Sequence, residues 1–447
     1  MAKRKRRRKR KRRVLKGFLI TLGILLVLFA AGVFTISYYG SELEETPLYE
    51  VLSNISFLKQ EEEEEETLPG PDSPAIASEA TIGVTGDILI HSPVLSAARL
   101  DDGTYDFTEC FSAVSSYWSN IDYMIANFEG SIGTEGSYSG YPTFSTPASI
   151  ITALADAGVD CILTANNHTY DTGSGGMERT IAAIEEAGLD YTGTRSSEDE
   201  SYVLIADVND IIFGMVCYTY DTRSSSEDQK SLNGITMSNE SENLVNSFCY
   251  SDLDSLYESI ESDLAEMEAA GCDVTMVFIH WGDEYAESPN DYQLAIAQTL
   301  ADLGVDIIVG GHPHVVQEFD ILTGASGNET LVLYSMGNAL SNQRRNLISQ
   351  ETRGYTEDGL TIQFTYMKFN NGVVKLKEVY ILPTWVELYN GVYTIVPLDY
   401  SIAAQSWTVY QTQEAISSYN RTLARLGEVY PSLRLELGND TVPSSLE

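Results

Sequence analysis

YQLAIAQTLADLGVDIIVGGHPH, residues 292–314, decides the fold. Apolar residues recur at helical spacing as far as Leu303, and Gly304 follows where a helix ends in the left-handed conformation. Val305-Asp306 then leads into the apolar run Ile307–Val309, short enough for a buried strand, and that run closes on Gly-Gly-His-Pro-His. A helix feeding through glycine into a buried strand, with polar residues at the strand's carboxyl end, is the grammar of an α/β sheet that binds ligands beyond its strand ends.

The same grammar recurs on both sides. PASIITALADAG, MERTIAAIEEAG and LYESIESDLAEMEAAG read as helices ending at Gly158, Gly188 and Gly271. TIGVTG, YMIANF, CILTAN, VTMVFIH and LVLYSMG read as strands. Together they predict an α/β domain over residues 80–390. Its end is strand-rich, with LTIQFTYMKF and NGVVKLKEVYILP forming a hairpin around Asn370-Asn371-Gly372. Residues 391–447 read as a mostly helical C-terminal extension without obvious chemistry.

Polar residues gather at the strand ends. Asp87, Asn127 with Glu129, Asn166 with Asn167 and His168, His280, and His312 with His314 each follow an apolar run, as does Asn338 after YSMG. All five histidines of the chain lie in such motifs, His91 in GDILIH being the fifth. Imidazole is the common neutral nitrogen ligand for metals and the common acid/base near neutral pH. Asp, Glu, Asn and several His together suit a divalent ion such as Mn, Zn or Fe, one or two in number. Glycines 86, 310 and 311 would let backbone approach a metal or phosphate closely.

Each motif also has a plainer reading. Gly-Asp after a strand is an ordinary turn, Glu129 could cap a helix, and Trp281 could simply cover the site. His91 stands open between ligand, substrate contact and helix-start residue. Asn-Asn-His and His-Pro-His are harder to explain without chemistry, since the proline fixes two imidazoles at one separation.

The two ends add a setting. Residues 1–13 hold no acid, and Gly17–Tyr39 run 23 residues without a charge. At about 1.5 Å per residue such a helix crosses a bilayer core. We therefore expect a cytoplasmic basic segment at 1–13, a single-pass transmembrane anchor at 14–39 and an extracellular main domain. A cleaved signal peptide is the competing reading, but its apolar core would be shorter. Residues 40–79, with Glu61–Glu66 and LPGPDSPA, read as an acidic, proline-stiffened stalk. Of 27 Lys and Arg, twelve lie at positions 3–16, leaving 15 against 65 acids beyond the anchor. A surface near −50 repels nucleic acid, so the membrane is an expected partner and nucleic acid is not. Five cysteines without a CxxC pair argue against a disulfide framework.

In chain order GDILIH, NFEG, ANNHTYDTGSGGM, HWGDEY, GVDIIVGGHPHVVQ and YSMGN resemble the CapA/PgsA family of bacterial capsule-synthesis proteins, over residues 80–345 and more weakly to about 385. The resemblance implies a calcineurin-like metallophosphoesterase sandwich, with helices flanking two central sheets. It also implies a role in making or exporting poly-γ-glutamate beside membrane-bound synthase subunits. By that analogy His168 protonates a leaving oxygen or steadies the transition state, and Asp87, Glu129, Asn167, His280, His312 and His314 are the candidate metal ligands. His91, Asn127, Asn166 and Asn338 would touch substrate or line the cleft, and Glu284, four residues past His280, would orient it. The wider phosphoesterase pattern begins with Asp-x-His and carries a bridging Asp; here no His lies two residues from Asp87, and Glu129 or Asn127 must stand for the bridge. The readings left open are capsule-polymer synthesis or export, a surface phosphoesterase acting on a nucleotide or cell-wall phosphate, and a non-catalytic scaffold.

Overall fold

The computed structural model describes residues 74–223, 229–348, 354–398 and 412–426. The basic segment, the anchor and nearly all of the stalk lie outside the described residues. Among the described residues, no helix is long and apolar enough to cross a membrane.

In chain order the principal elements begin with β1 (Ile76–Ile88), α1 (Ser92–Ala98), β2 (Tyr123–Phe128), α2 (Ser149–Asp156), β3 (Cys161–Leu163), α3 (Ser174–Glu186) and β4 (Asp190–Thr192). There follow β5 (Leu204–Val208), β6 (Ile211–Tyr220), β7 (Ser247–Phe248), α4 (Leu253–Ala270), β8 (Val274–His280), α5 (Asp291–Asp302), β9 (Ile307–Gly311), β10 (Phe319–Thr323) and β11 (Glu329–Leu333). The chain returns to the first sheet with β12 (Asn338–Leu340), β13 (Asp358–Phe369), β14 (Val374–Tyr389) and β15 (Val392–Pro397), and α6 (Thr412–Arg425) follows.

These strands make two large sheets. The first has the order β15-β14-β13-β1-β2-β3-β4 with β12 also paired to β1, and the second has β7-β6-β8-β9-β11-β10 with β5 paired to β6. Alternation along the strands shows how they stack. Ile82, Val84, Ile125 and Leu163 share one core with Phe213, Met215, Met276, Phe278 and Val309, so the inner faces of the two sheets pack together. The intervening residues face outward: Met124, Ala126 and Ile162 pack with Ile150 and Leu154 of α2, and Val277, Ile279 and Ile308 pack with Ile260 of α4 and Ile296 of α5. A period of two on each strand therefore builds two sheets face to face with helices outside, as expected.

The four helices read from sequence are present. α5 starts with a reciprocal capping box between Asn290 and Gln293 and ends before Gly304, whose φ of 93° only glycine adopts cheaply. The 358–389 hairpin is antiparallel, as its Asn-Asn-Gly turn implied.

Both edges of the expected domain move. β1 begins at Ile76 and pairs with Phe369 and Lys368, so the last residues assigned to the stalk belong to the sheet. At the other edge, Asn390-Gly391 turns β14 into β15 with Tyr389 opposite Val392. The extension read as mostly helical from 391 thus starts with a strand, and Asn-Gly between apolar runs was its signal.

Candidate metal centre

The site forms where the carboxyl ends of β1, β2, β3, β8 and β9 meet. In β1 the register with β2 slips between Thr85 and Asp87, which makes Gly86 the extra residue of a bulge. A Cβ at Gly86 would overlap the Gly337 carbonyl oxygen, so this glycine serves close backbone packing instead of a ligand. Gly310 likewise packs on Tyr334 and Trp281; Gly311 faces the site, where a Cβ would meet Asp87 Oδ1 at 2.8 Å. Beyond the bulge Asp87 lies between Asn127 on β2 and Asn338 on β12.

The carboxylate of Asp87 then joins the two sheets. Its Oδ1 accepts from Asn127 Nδ2 at 2.7 Å, and its Oδ2 accepts from the His312 backbone N–H at 3.1 Å and lies 3.3 Å from His314 Nδ1. Glu129, fully buried, places Oε1 3.4 Å from His280 Nε2 and 3.7 Å from His314 Nε2. Asn167 Oδ1 is 3.0 Å from the same His280 nitrogen, and Asn338 Oδ1 is 3.1 Å from His314 Nδ1. Asn166 is scaffolding: its amide donates to the Phe128 carbonyl and Asn127 Oδ1, and its oxygen accepts from the His168 backbone.

Two three-residue groups have ligand atoms within 4.8 Å of one another, Glu129 with His280 and His312, and Asp87 with Glu129 and His314. Both oxygens of Glu129 and the Nδ1 atoms of His280 and His312 are buried without a hydrogen-bond partner. Burying an ion without partners costs several kcal/mol, and a cation among these atoms would offset that cost. The donor set therefore fits a divalent ion. His312 and His314 also hold left-handed backbone, at φ 93° and 57°, which aims both imidazoles inward around the proline at some cost in strain.

In the metal-free site the carboxylates hold one imidazole charged, so a metal there would displace a proton. Burial alone would raise Asp87, but its hydrogen bond to His314 and the nearby His280 hold the carboxyl below its ordinary value. Burial pushes His314 down, yet Glu129 and Asp87 outweigh it and carry the imidazole up to about 9. His312, buried and beside other imidazoles, is pushed well down and keeps a lone pair for a metal.

Around this core lie the groups that would meet a ligand. His168 Nδ1 pairs with Asp171 Oδ2 at 2.7 Å. Asn233, on the turn of an arm made by Lys230–Leu232 and Ile235–Thr236, donates to Asp171 Oδ1 at 2.8 Å and to the Pro142 carbonyl at 2.7 Å. Phe144 packs edge-on to His168, Tyr220 to His312, and the Tyr285 ring tilts toward His314. His91 reaches the rim, its Nδ1 accepting from the Asn342 backbone at 3.2 Å and its ring against Phe144.

Glu284 is the residue the structure does not bring in as expected. It is exposed, and His280 Nδ1 has no partner. Four residues share a face only on a helix, whereas His280 closes a strand and the chain turns at Gly282. The Glu284 carboxylate acts on the phenol of Tyr285 instead. Trp281 likewise points away, into the core under α5, with its indole N–H on the Tyr334 carbonyl. Sequence reasoning missed Asp171, Asn233, Tyr285 and Gln343; Asp171 and Tyr285 lay inside the quoted motifs ANNHTYDTGSGGM and HWGDEY, and the other two carried no signal.

The family model for the bacterial capsule synthesis protein PGA_cap matches residues 81–343, the stretch that holds every group just described from Asp87 to Gln343. The chain belongs to this family. The PGA_cap chain is 29% identical over 269 residues to the capsule biosynthesis protein CapA of Bacillus anthracis, covering 59% of this chain and 60% of that one. It is 26% identical over 238 residues to the PGA biosynthesis protein CapA of Bacillus subtilis strain 168, covering 52% and 57%. The match thus spans less than two thirds of either relative. Among solved structures, the sulfate thiohydrolase SoxB of Thermus thermophilus superposes with a TM-score of 0.37 and 11% identity, covering 71% of this chain and 46% of that one. That superposition is too loose to argue from.

Proposed function

We propose that this chain is a membrane-anchored, extracellular component of capsule-polymer synthesis or export, handling poly-γ-glutamate through a divalent-metal cleft. The observation that carries the cleft is the Glu129 carboxylate, buried without a hydrogen bond beside His280, His312 and His314. The polymer comes from the PGA_cap family and from what its Bacillus relatives are named for. The anchor rests on Gly17–Tyr39, and synthase subunits are the partners this setting would supply.

Asp87, Glu129, Asn167, His280, His312 and His314 would hold the ion, whether Mn, Zn or Fe. When bound it would supply Lewis acidity toward a phosphoryl or carbonyl oxygen. The remaining work falls to the chain. Asp171 fixes the Nδ1–H of His168, which leaves Nε2 as the atom that carries a proton to a leaving oxygen. Phe144, Tyr220 and Tyr285 screen the imidazoles from bulk water.

The His168–Asp171 pair favours a second reading, a calcineurin-like phosphoesterase acting on a nucleotide or cell-wall phosphate. Deleting the gene and complementing it with wild type or Glu129→Gln separates the two. Loss or shortening of extracellular γ-glutamyl polymer, restored only by wild type, is the expected result. An unchanged polymer, or a host that makes none, rejects the capsule role. Hydrolysis of p-nitrophenyl phosphate by the Mn-loaded chain, lost in His168→Ala, would then support the phosphoesterase.

A further inference from the structure

Tyr285 closes HWGDEY and offers no ligand to the metal centre, yet its backbone is strained. Its φ of 64° lies in the left-handed region, where a bulky aromatic residue is a genuine outlier. The surroundings hold it there: its N–H donates to the Pro313 carbonyl at 2.8 Å, between the two histidines of His-Pro-His. Its ring centroid lies 6.2 Å from that of His314. Strain of this kind persists where a side chain must be presented in one place.

The hydroxyl is oriented as well. Asn338 faces His314 Nδ1 with its oxygen at 3.1 Å and donates its Nδ2 to Gln343 Oε1 at 2.9 Å. That donation fixes the Gln343 amide, so Gln343 Nε2 donates to the Tyr285 oxygen at 3.2 Å. The phenol oxygen is thereby used as an acceptor, and its own proton is left to point elsewhere. Glu284, exposed on the solvent side, is the nearby carboxylate that competes for it.

We infer that the Tyr285 hydroxyl is a substrate-binding group, donating a hydrogen bond to an anionic oxygen of the ligand held over the metal cleft. Gln343 is its positioning residue. A phosphoryl oxygen and a γ-glutamyl carboxylate share this chemistry. The inference rests on the metal-cleft reading above and adds a residue that sets the ligand's position.

The test uses the full-length chain loaded with Mn, and calorimetric titration with inorganic phosphate and with a short γ-linked glutamate oligomer. Tyr285→Phe keeps the ring, the backbone bond to Pro313 and the metal content. It should weaken one of the two probes about ten- to hundredfold, as loss of a hydrogen bond to a charged group does. The probe that weakens identifies the source of the oxygen. Gln343→Leu should weaken the same probe, and the double variant should be no worse than Tyr285→Phe alone. Affinities for both probes equal to wild type in Tyr285→Phe would overturn the assignment while leaving the cleft intact. A metal-loaded wild type that binds neither probe would reject the cleft reading and the assignment together.

Discussion

Glu129 Oε1 approaches His280 Nε2 to 3.4 Å, yet neither oxygen of this fully buried carboxylate receives a hydrogen bond. Asp87, by contrast, is satisfied by the Asn127 amide and the His312 backbone. The two carboxylates therefore do different work. Asp87 holds the sheets in register at the site while keeping its place in the proposed ligand set, and Glu129 has no hydrogen bond to give up when a cation binds.

Glu129→Gln should separate stability from binding. In metal-free protein Glu129 is the main group that holds the buried His314 imidazole up. Neutralising it leaves that cation with Asp87 alone and should lower the unfolding free energy near neutral pH by roughly 1–3 kcal/mol. Wild type should gain about 2.7 kcal/mol from Mn at one hundred times its Kd, and the variant should gain almost none. Urea unfolding with and without Mn reads both effects. No gain in wild type with Mn, Zn or Fe would reject the centre.

Asp171→Asn tests the pairing behind His168. An amide at this position can accept from only one of its two atoms, so the imidazole loses its fixed tautomer. Metal content should stay at the wild-type level while turnover of a phosphoester falls about a hundredfold or more. Asn233→Ala should act in the same direction and less strongly, because it removes one donor to Asp171 Oδ1. Equal turnover in all three proteins would show that His168 carries no proton in the reaction.

How much of this the sequence disclosed follows from how local each signal is. Asn167, His168, His280, His312 and His314 were legible because strand ends and a histidine-proline-histidine triplet fix geometry over a few residues. The buried strands were legible as short apolar runs, but their division into two stacked sheets came only from the family resemblance. The inward and outward alternation of Val84, Ile125, Phe278 and Val309 shows once the partners across the core are known. Asn233 was not, since it reaches His168 from an arm that follows β6 of the other sheet, 65 residues on. Glu284 misled because a spacing of four was read as proximity without a helix to support it. Tyr285 lay in the quoted motif, but its importance depends on a φ angle and on Gln343, and neither can be read from residue type.

His91 predicts an acid sensitivity distinct from that of the metal ligands. Burial, with His314 nearby, holds its imidazole down at about 4 against 6.5 when unfolded. A histidine whose folded value is depressed binds fewer protons folded than unfolded between those pH values. Its contribution is therefore intact above pH 6.5 and is lost as pH falls from 6.5 to 4. The full shift corresponds to about 3 kcal/mol, and partial exposure reduces this to roughly 2. His91→Asn retains an acceptor for the Asn342 N–H and should flatten that part of the profile. Urea titrations of metal-free protein at pH 7, 5 and 4 give the comparison, and identical slopes in variant and wild type would refute the assignment.

The C-terminal helix should matter to the centre although it contributes no ligand. Arg421 donates Nε to Asp358 Oδ2 at 2.9 Å and Nη2 to Oδ1 at 2.7 Å, and Ser418 adds a third bond at 2.6 Å. Asp358 is almost wholly buried, so Arg421→Ala leaves a buried charge uncompensated and should cost roughly 3–5 kcal/mol. Arg421→Met combined with Asp358→Leu removes both charges at similar volume and should recover most of that loss. Two residues before Asp358, the Thr356 carbonyl accepts from Asn338 Nδ2 at 2.9 Å, and the oxygen of that same amide faces His314. Loosening this segment in Arg421→Ala frees Asn338 and should also weaken Mn binding, measured by calorimetry below the unfolding temperature. Weaker Mn binding by the single variant than by the double would show that the helix braces the centre through Asn338; equal Mn affinity in Arg421→Ala and wild type would confine its role to stability.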